Sequence, residues 1–192
     1  MHLISNRIII LLLILPLSAC DQASNFEDIE KSANQGDALS QALLGEAYVN
    51  AEGVSQDYKK AFEWYIKAAK QGNVDAQNNL GALYANGHGV AEDDKQAFEW
   101  YNKAAKQGNA QAQNNLGAAY ANGEGVIQDY KKAFEWYKKS AEQGNIDAQF
   151  TLGMMYHRGD GTAQNDEIAE IWLKKAAGNG HKDAISLFED DQ

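Results

Sequence analysis

One cysteine and one proline in 192 residues leave this chain little covalent help in folding. A lone cysteine excludes a disulfide framework, so stability has to come from packing, which a chain of this length can supply. Basic residues are also in short supply. Lys and Arg number 17 against 27 Asp and Glu, a formal net charge of −10. Such an acidic domain repels nucleic acid and anionic lipid headgroups and attracts a basic protein. Long apolar runs are missing too: Ile8 to Leu15 is unbroken but too short to span a bilayer as a stable helix.

That apolar run follows a mildly basic start, His2 to Arg7, and precedes Leu17-Ser18-Ala19-Cys20. The layout predicts a secretory signal over residues 1–19. Leu17-Ser18-Ala19-Cys20 resembles the lipobox of bacterial lipoproteins, in which cleavage leaves the cysteine first and lipidated. Cys20 is therefore the expected lipid anchor, and residues 20–25 the polar tether behind it. Asp21 resembles the signal that keeps such lipoproteins from the outer membrane, which implies the periplasmic face of the inner membrane.

What the chain has in abundance is self-similarity. Leu-Gly recurs at Leu44-Gly45, Leu80-Gly81, Leu116-Gly117 and Leu152-Gly153, a step of 36 residues. Trp64, Trp100, Trp136 and Trp172 keep the step, and so do Tyr48, Tyr84, Tyr120 and Tyr156. Repetition at such a period marks stacked helical units. Ala76, Leu80 and Tyr84 lie at i, i+4 and i+8, one stripe of a first helix running from Asp37 to Asn50 and its equivalents. Asn-Gly-x-Gly loops end it, with the glycines free to take positive φ. Asp57, Asp93, Asp129 and Asn165 stand where a second helix needs an N-cap, and Gly72, Gly108, Gly144 and Gly180 close that helix. Gly81 and its copies, inside the first helix, predict a neighbour too close to admit a Cβ. The units are about 37–72, 73–108, 109–144 and 145–180. Phe26 to Gln35 reads as a half-unit before them and His181 to Phe188 as one after, so residues 26–192 form one array.

Leu80-Gly81, Tyr84, Gly87-x-Gly89-Val90, Asp93, Ala97, Trp100-Tyr101, Ala104-Ala105 and Gln107-Gly108-Asn109 together resemble the Sel-1-like repeat, a relative of the tetratricopeptide repeat with a longer glycine-bearing loop. The resemblance implies an all-α, right-handed α-solenoid whose work is holding other proteins. Exported members resemble envelope scaffolds, regulators of periplasmic sensors, or immunity proteins against secreted phospholipase-type toxins. A cysteine-rich branch is linked to β-lactam binding, but its paired cysteines are missing here.

No catalytic, cofactor or metal set emerges from the residues. His88, His157 and His181 lack a partner at ligand spacing. His88 reads as a solvated loop-tip position, and Asp160-x-Thr162-x-Gln164-x-Asp166 lacks the central glycine and closing Glu of a calcium loop. The Trp-Tyr pairs read as core, and the Lys59-Lys60 and Lys131-Lys132 runs as solvated.

In related solenoids the first helices line the concave face. Placing the Leu-Gly and Tyr positions accordingly puts Leu39, Ala42, Glu46, Val49 and Asn50 there, then Asp75, Asn78, Ala82, Ala85 and Asn86, then Gln111, Asn114, Ala118, Ala121 and Asn122. The two middle sets are small and amide-rich, either an adaptable polar cradle or solvated filler. The last set departs from them: Asp147, Phe150, Met154, His157 and Arg158 bring the aromatic, Met and Arg residues that interfaces favour. Phe150 and Met154 either anchor a protein partner or pack under the C-terminal helix. The function expected is a non-enzymatic periplasmic lipoprotein that binds a protein partner, as an immunity protein against a toxin or as an envelope scaffold or sensor regulator. A cell-wall or β-lactam-acting enzyme is the remote alternative, for want of a nucleophile and base.

Overall fold

The computed structural model describes the backbone from residue 19 to 189 and side chains from 26 to 188. The expected signal over residues 1–19 therefore lies almost wholly outside the described residues, and so does the Cys20 side chain. Ten helices and no strand occur among the described residues. They are α1 (Ala19–Asn34), α2 (Ala38–Asn50), α3 (Tyr58–Lys70), α4 (Val74–Asn86), α5 (Asp94–Lys106), α6 (Ala110–Asn122), α7 (Tyr130–Glu142), α8 (Ile146–Arg158), α9 (Asp166–Gly178) and α10 (Lys182–Glu189). Each helix packs on the next in sequence, which makes the chain an α-solenoid of helix pairs. The even-numbered helices are the first helices of the units and the odd-numbered ones the second. α1 begins at Ala19, so the segment expected as a tether is helical.

The caps are those the repeat pattern predicts. Asp37, Asn73, Asn109 and Asn145 take extended backbone and accept from the N–H three residues on, at 2.7–2.8 Å. Asp57, Asp93, Asp129 and Asn165 do the same for the second helices. Bonds from its cap hold the Asp37 carboxyl below the usual value, the Ser40 side-chain bond foremost. Gly72, Gly108, Gly144 and Gly180 close the second helices at φ of +92° to +95°.

The core is a column of leucines. Leu44, Leu80, Leu116 and Leu152 are wholly buried, surrounded by the alanines of both helix types. The helical glycines beside them explain how close the helices come. A Cβ on Gly45, Gly81 or Gly117 would lie 2.7–3.0 Å from the ring of Tyr65, Tyr101 or Tyr137. The close neighbour is thus a tyrosine laid flat on the glycine. In the last unit Leu173 takes the ring's place against Gly153.

Consecutive units are joined by two repeated contacts. Phe62, Phe98 and Phe134 each meet the tyrosine of the next unit edge-on, at 5.2–5.4 Å between ring centroids, a favoured aromatic geometry. Phe26 makes the same contact with Tyr48 at 6.2 Å, which fixes α1 as the second half of a unit. The other contact is a buried amide relay. Gln41, Gln77, Gln113 and Gln149 donate back to the carbonyls of Ala33, Ala69, Ala105 and Ala141 at 3.1–3.2 Å. They accept in turn from Gln71, Gln107, Gln143 and Asn179. Each buried amide is therefore paired on both ends, as buried polar groups must be.

Three sequence readings need refining. The tryptophans are half-buried, and Lys67, Lys103, Lys139 and Lys175 each hold an ammonium 3.6–4.8 Å above the indole ring four helical positions or fewer away. One turn of helix brings i+3 over i, so the lysine covers the face that the core does not. His88 is exposed but not idle, because its ring stacks on Tyr58 of the preceding unit at 4.5 Å. Of the lysines read as solvated, Lys60 and Lys132 lie over the Tyr48 and Tyr120 rings.

Candidate functional site: grooves between successive units

Grooves open at three junctions between successive first helices, and tyrosines of the intervening second helix floor two of them. The groove at the α2/α4 junction has a volume of about 300 Å³. Glu46, Val49 and Asn50 come from α2, Tyr58 and Tyr65 from α3, and Asn79, Ala82, Leu83 and Asn86 from α4, with His88 at the edge. Two units further on, at the α6/α8 junction, the same positions recur. Ala121, Asn122, Tyr130, Tyr137, Thr151, Met154, Met155, Arg158 and Asp160 enclose about 290 Å³ there. A third groove at the α8/α10 junction, about 360 Å³, is lined by Met154, His157, Asp166, Ala169, Glu170, Leu173, Leu187 and Phe188.

The floor tyrosines are neutral phenols. Burial pushes Tyr101 and Tyr137 up to about 12, helped by the Glu124 carboxylate. Burial raises Tyr65 further still, Glu46 adding to it, against the opposing bond from Asn79, whose Nδ2 donates to the phenol oxygen at 3.3 Å. These grooves therefore offer hydrogen bonds and ring faces to a ligand, and no cluster that could hold a metal ion occurs among the described residues.

The sequence-predicted residues divide. Asn86, Asn122, Met154, His157 and Arg158 do line grooves. Asn78 instead turns inward: it is 9% exposed, and its Oδ1 accepts from Asn115 at 3.0 Å. Asn114, one unit later, has a buried Oδ1 with no partner, because Thr151 stands where Asn115 stood. Phe150 is half-buried, its ring stacked at 4.3 Å on His181, so it packs against the start of the C-terminal half-unit. His181 occupies the N-cap position of α10, accepting from the Ala184 N–H at 3.3 Å, and its other ring nitrogen lies 3.8 Å from exposed Asp147. Asp147 and Phe150 thus sit apart from Met154, His157 and Arg158. The exposed His157 pairs with Asp166 at 2.7 Å.

Sequence reasoning missed the wall and floor positions. Tyr58, Tyr130 and Asp166 share one repeat position, and Asn79, Thr151 and Leu187 another, so stacking the units in register would have exposed both.

The Sel1 repeat model matches four consecutive stretches, residues 38–73, 74–109, 110–145 and 146–181. The chain belongs to the Sel1 repeat family. Sel1 repeat proteins are generally non-catalytic scaffolds for protein–protein interaction. The matched units start one residue after the sequence-based ones, the difference being whether the N-cap is counted. A Sel1 repeat protein from Oxalobacter formigenes is 36% identical with a TM-score of 0.80, over 85% of this chain and 67% of that one. A protective antigen of uropathogenic Escherichia coli with an SLR fold is 39% identical with a TM-score of 0.78, over 81% of this chain. The chain spans only 33% of that antigen's length. Cysteine rich protein B of Helicobacter pylori is 26% identical with a TM-score of 0.56, over 69% of this chain and 96% of that one. No curated protein matches the sequence.

Proposed function

We propose that this Sel1 repeat protein is a lipid-anchored, non-enzymatic envelope protein that holds a partner protein along the grooves of its first-helix face. The observation that carries the reading is the recurrence of one groove, in the same repeat register, at the α2/α4 and α6/α8 junctions. A series of equivalent pockets lined by rings and amides suits successive side chains of a polypeptide better than one small molecule. Cys20, behind a lipobox-like Leu17-Ser18-Ala19, would carry the lipid, and Asp21 would hold the protein at the inner membrane facing the periplasm. The net charge of −10 favours a basic partner. A secreted antibacterial toxin neutralised by this chain, an immunity function, fits that description.

Site-specific photo-crosslinking in the expressing bacterium tests the reading. A photoreactive residue at exposed Asn86 should capture a discrete protein, while one at exposed Lys106 on a second helix should not. Equal capture from both faces, or none, would rule out the groove face. Purified partner then decides the finer question: an enzyme whose activity falls when the chain is added supports immunity, whereas an envelope assembly factor or sensor supports a scaffold or regulator. In the same cells Cys20→Ser should abolish acylation.

A further inference from the structure

We propose that the groove at the α8/α10 junction binds an aliphatic or aromatic side chain from a partner segment that carries lysine or arginine next to it. This rests on the protein-binding reading above and names the chemistry of one subsite.

The groove repeats the register of the α2/α4 and α6/α8 grooves with its floor replaced. Where those have the phenols of Tyr65 and Tyr137, it has Leu173; where they have Asn79 and Thr151, it has Leu187. Met154, Ala169 and Phe188 complete an apolar surface around about 360 Å³. That is room for a large side chain and its neighbours, and no floor atom is left to hydrogen-bond a polar one. Leu187 is 46% exposed although it faces this groove, so the surface is open in the free protein.

Charge selects the occupant. Asp166 and Glu170 stand at the mouth. Asp166 is paired with His157, which is charged only when protonated, and Glu170 with Lys174. A segment with a base beside its apolar side chain meets both features, because complementary charge steers and orients it.

A fluorescein-labelled peptide, acetyl-Gly-Lys-Lys-Phe-Leu-Lys-Lys-Gly-amide, provides the probe, titrated into the full-length protein in lipid nanodiscs. Anisotropy reports affinity. Methyl-13C methionine reports place, since Met154 lines this groove whereas Met155 lines only the α6/α8 groove. Saturable binding should shift the Met154 methyl more than the Met155 methyl. Replacing Phe-Leu by Ser-Ser, or the lysines by glutamates, should weaken binding at least tenfold. Leu187→Ser should do the same, with circular dichroism confirming the helices. Asp166→Lys, which leaves α10 untouched, should weaken the basic peptide severalfold. No saturable binding, equal binding of the glutamate peptide, or indifference to both protein variants would overturn the proposal. If the Asn86 crosslink still captures its partner undiminished in Leu187→Ser, the protein-binding reading stands and this subsite falls; loss of capture in the unmodified chain strikes the broader reading instead.

Discussion

The interior units and the fourth unit share one scaffold and differ in what they show to a ligand. Their stacking positions scarcely change: Leu80, Leu116 and Leu152 are all wholly buried, and Gln77, Gln113 and Gln149 make the same paired bonds. Their groove positions change freely. Tyr101 and Tyr137 give way to Leu173, Asn115 to Thr151 and then Leu187, Tyr130 to Asp166. The reason is physical. A stacking residue touches neighbours on every side, so a substitution leaves a void or an orphaned amide. A groove residue touches solvent on one side and can vary until it meets a ligand. Such a solenoid is therefore free to be differentiated for binding at its groove positions, not at its stacking positions.

The largest test of that contrast concerns the second loop glycine. In the interior, a Cβ on Gly125 would lie 2.2 Å from the Asp94 carbonyl oxygen, at φ +66°, so backbone blocks it. At the N-terminal end the equivalent Gly53 meets only the Phe26 side chain, at 3.0 Å. Left-handed backbone alone costs a non-glycine residue about 1–2 kcal/mol, and forcing a clash adds about 1–3 kcal/mol. Gly125→Ala should accordingly lower stability by about 3 kcal/mol or more and Gly53→Ala by about half as much, read from urea unfolding midpoints. Equal losses would mean that α1 and the interior second helices seat their loops alike.

The same division explains how much could be read before the structure. Repeat length, helix pairing, every named N-cap and the terminal half-units were legible, because each depends on local chemistry that recurs four times over. The tyrosine laid on Gly81 was legible only as a close neighbour of unknown kind, since sequence gives a missing Cβ but not what fills its place. The amide relay through Gln113 went unseen: a glutamine near a helix start looks solvated until the next unit covers it. The site was legible in part. Met154, His157 and Arg158 stood out by departing from the repeat, whereas Phe150 departed because His181 covers it, and a departure alone does not separate packing from binding. The tryptophans were legible in part: they pack against the core as the apolar period predicts, but the period does not show that a lysine one turn on shields the remaining face.

A smaller effect lies where the interior pattern first breaks. Asn115 donates to the Asn78 oxygen at 3.0 Å, while Thr151 leaves the corresponding Asn114 Oδ1 buried and unpartnered. A buried orphan acceptor is a net cost, and a restored bond contributes roughly 1 kcal/mol. Thr151→Asn should raise the thermal midpoint by that equivalent, and Asn115→Thr should lower it similarly by orphaning Asn78. If neither moves the midpoint, the amide contacts between first helices contribute nothing, and the loss of one at the fourth unit carries no stability cost.

The smallest effect belongs to the first loop. Gly87, Gly123 and Gly159 end their first helices in left-handed conformation at φ of +65° to +77°, each donating its N–H to the carbonyl four residues back. The first unit has Ala51 there, held at φ +62°, ψ +38° with its N–H on the Ala47 oxygen. It is the one non-glycine residue with positive φ among the described residues. The cap bond is thus kept at the expense of a strained backbone, about 1–2 kcal/mol for an L-residue in this region. Glycine removes that strain but brings a more flexible unfolded chain, which returns roughly half of it. Ala51→Gly should therefore stabilise the protein by about 0.5–1 kcal/mol, a small rise in the urea midpoint with the slope unchanged. Gly87→Ala should lose a comparable amount, because a Cβ there meets nothing closer than 3.5 Å and only the conformational cost remains. A rise at position 51 without a fall at position 87 would show that the first unit is relieved by something other than its turn.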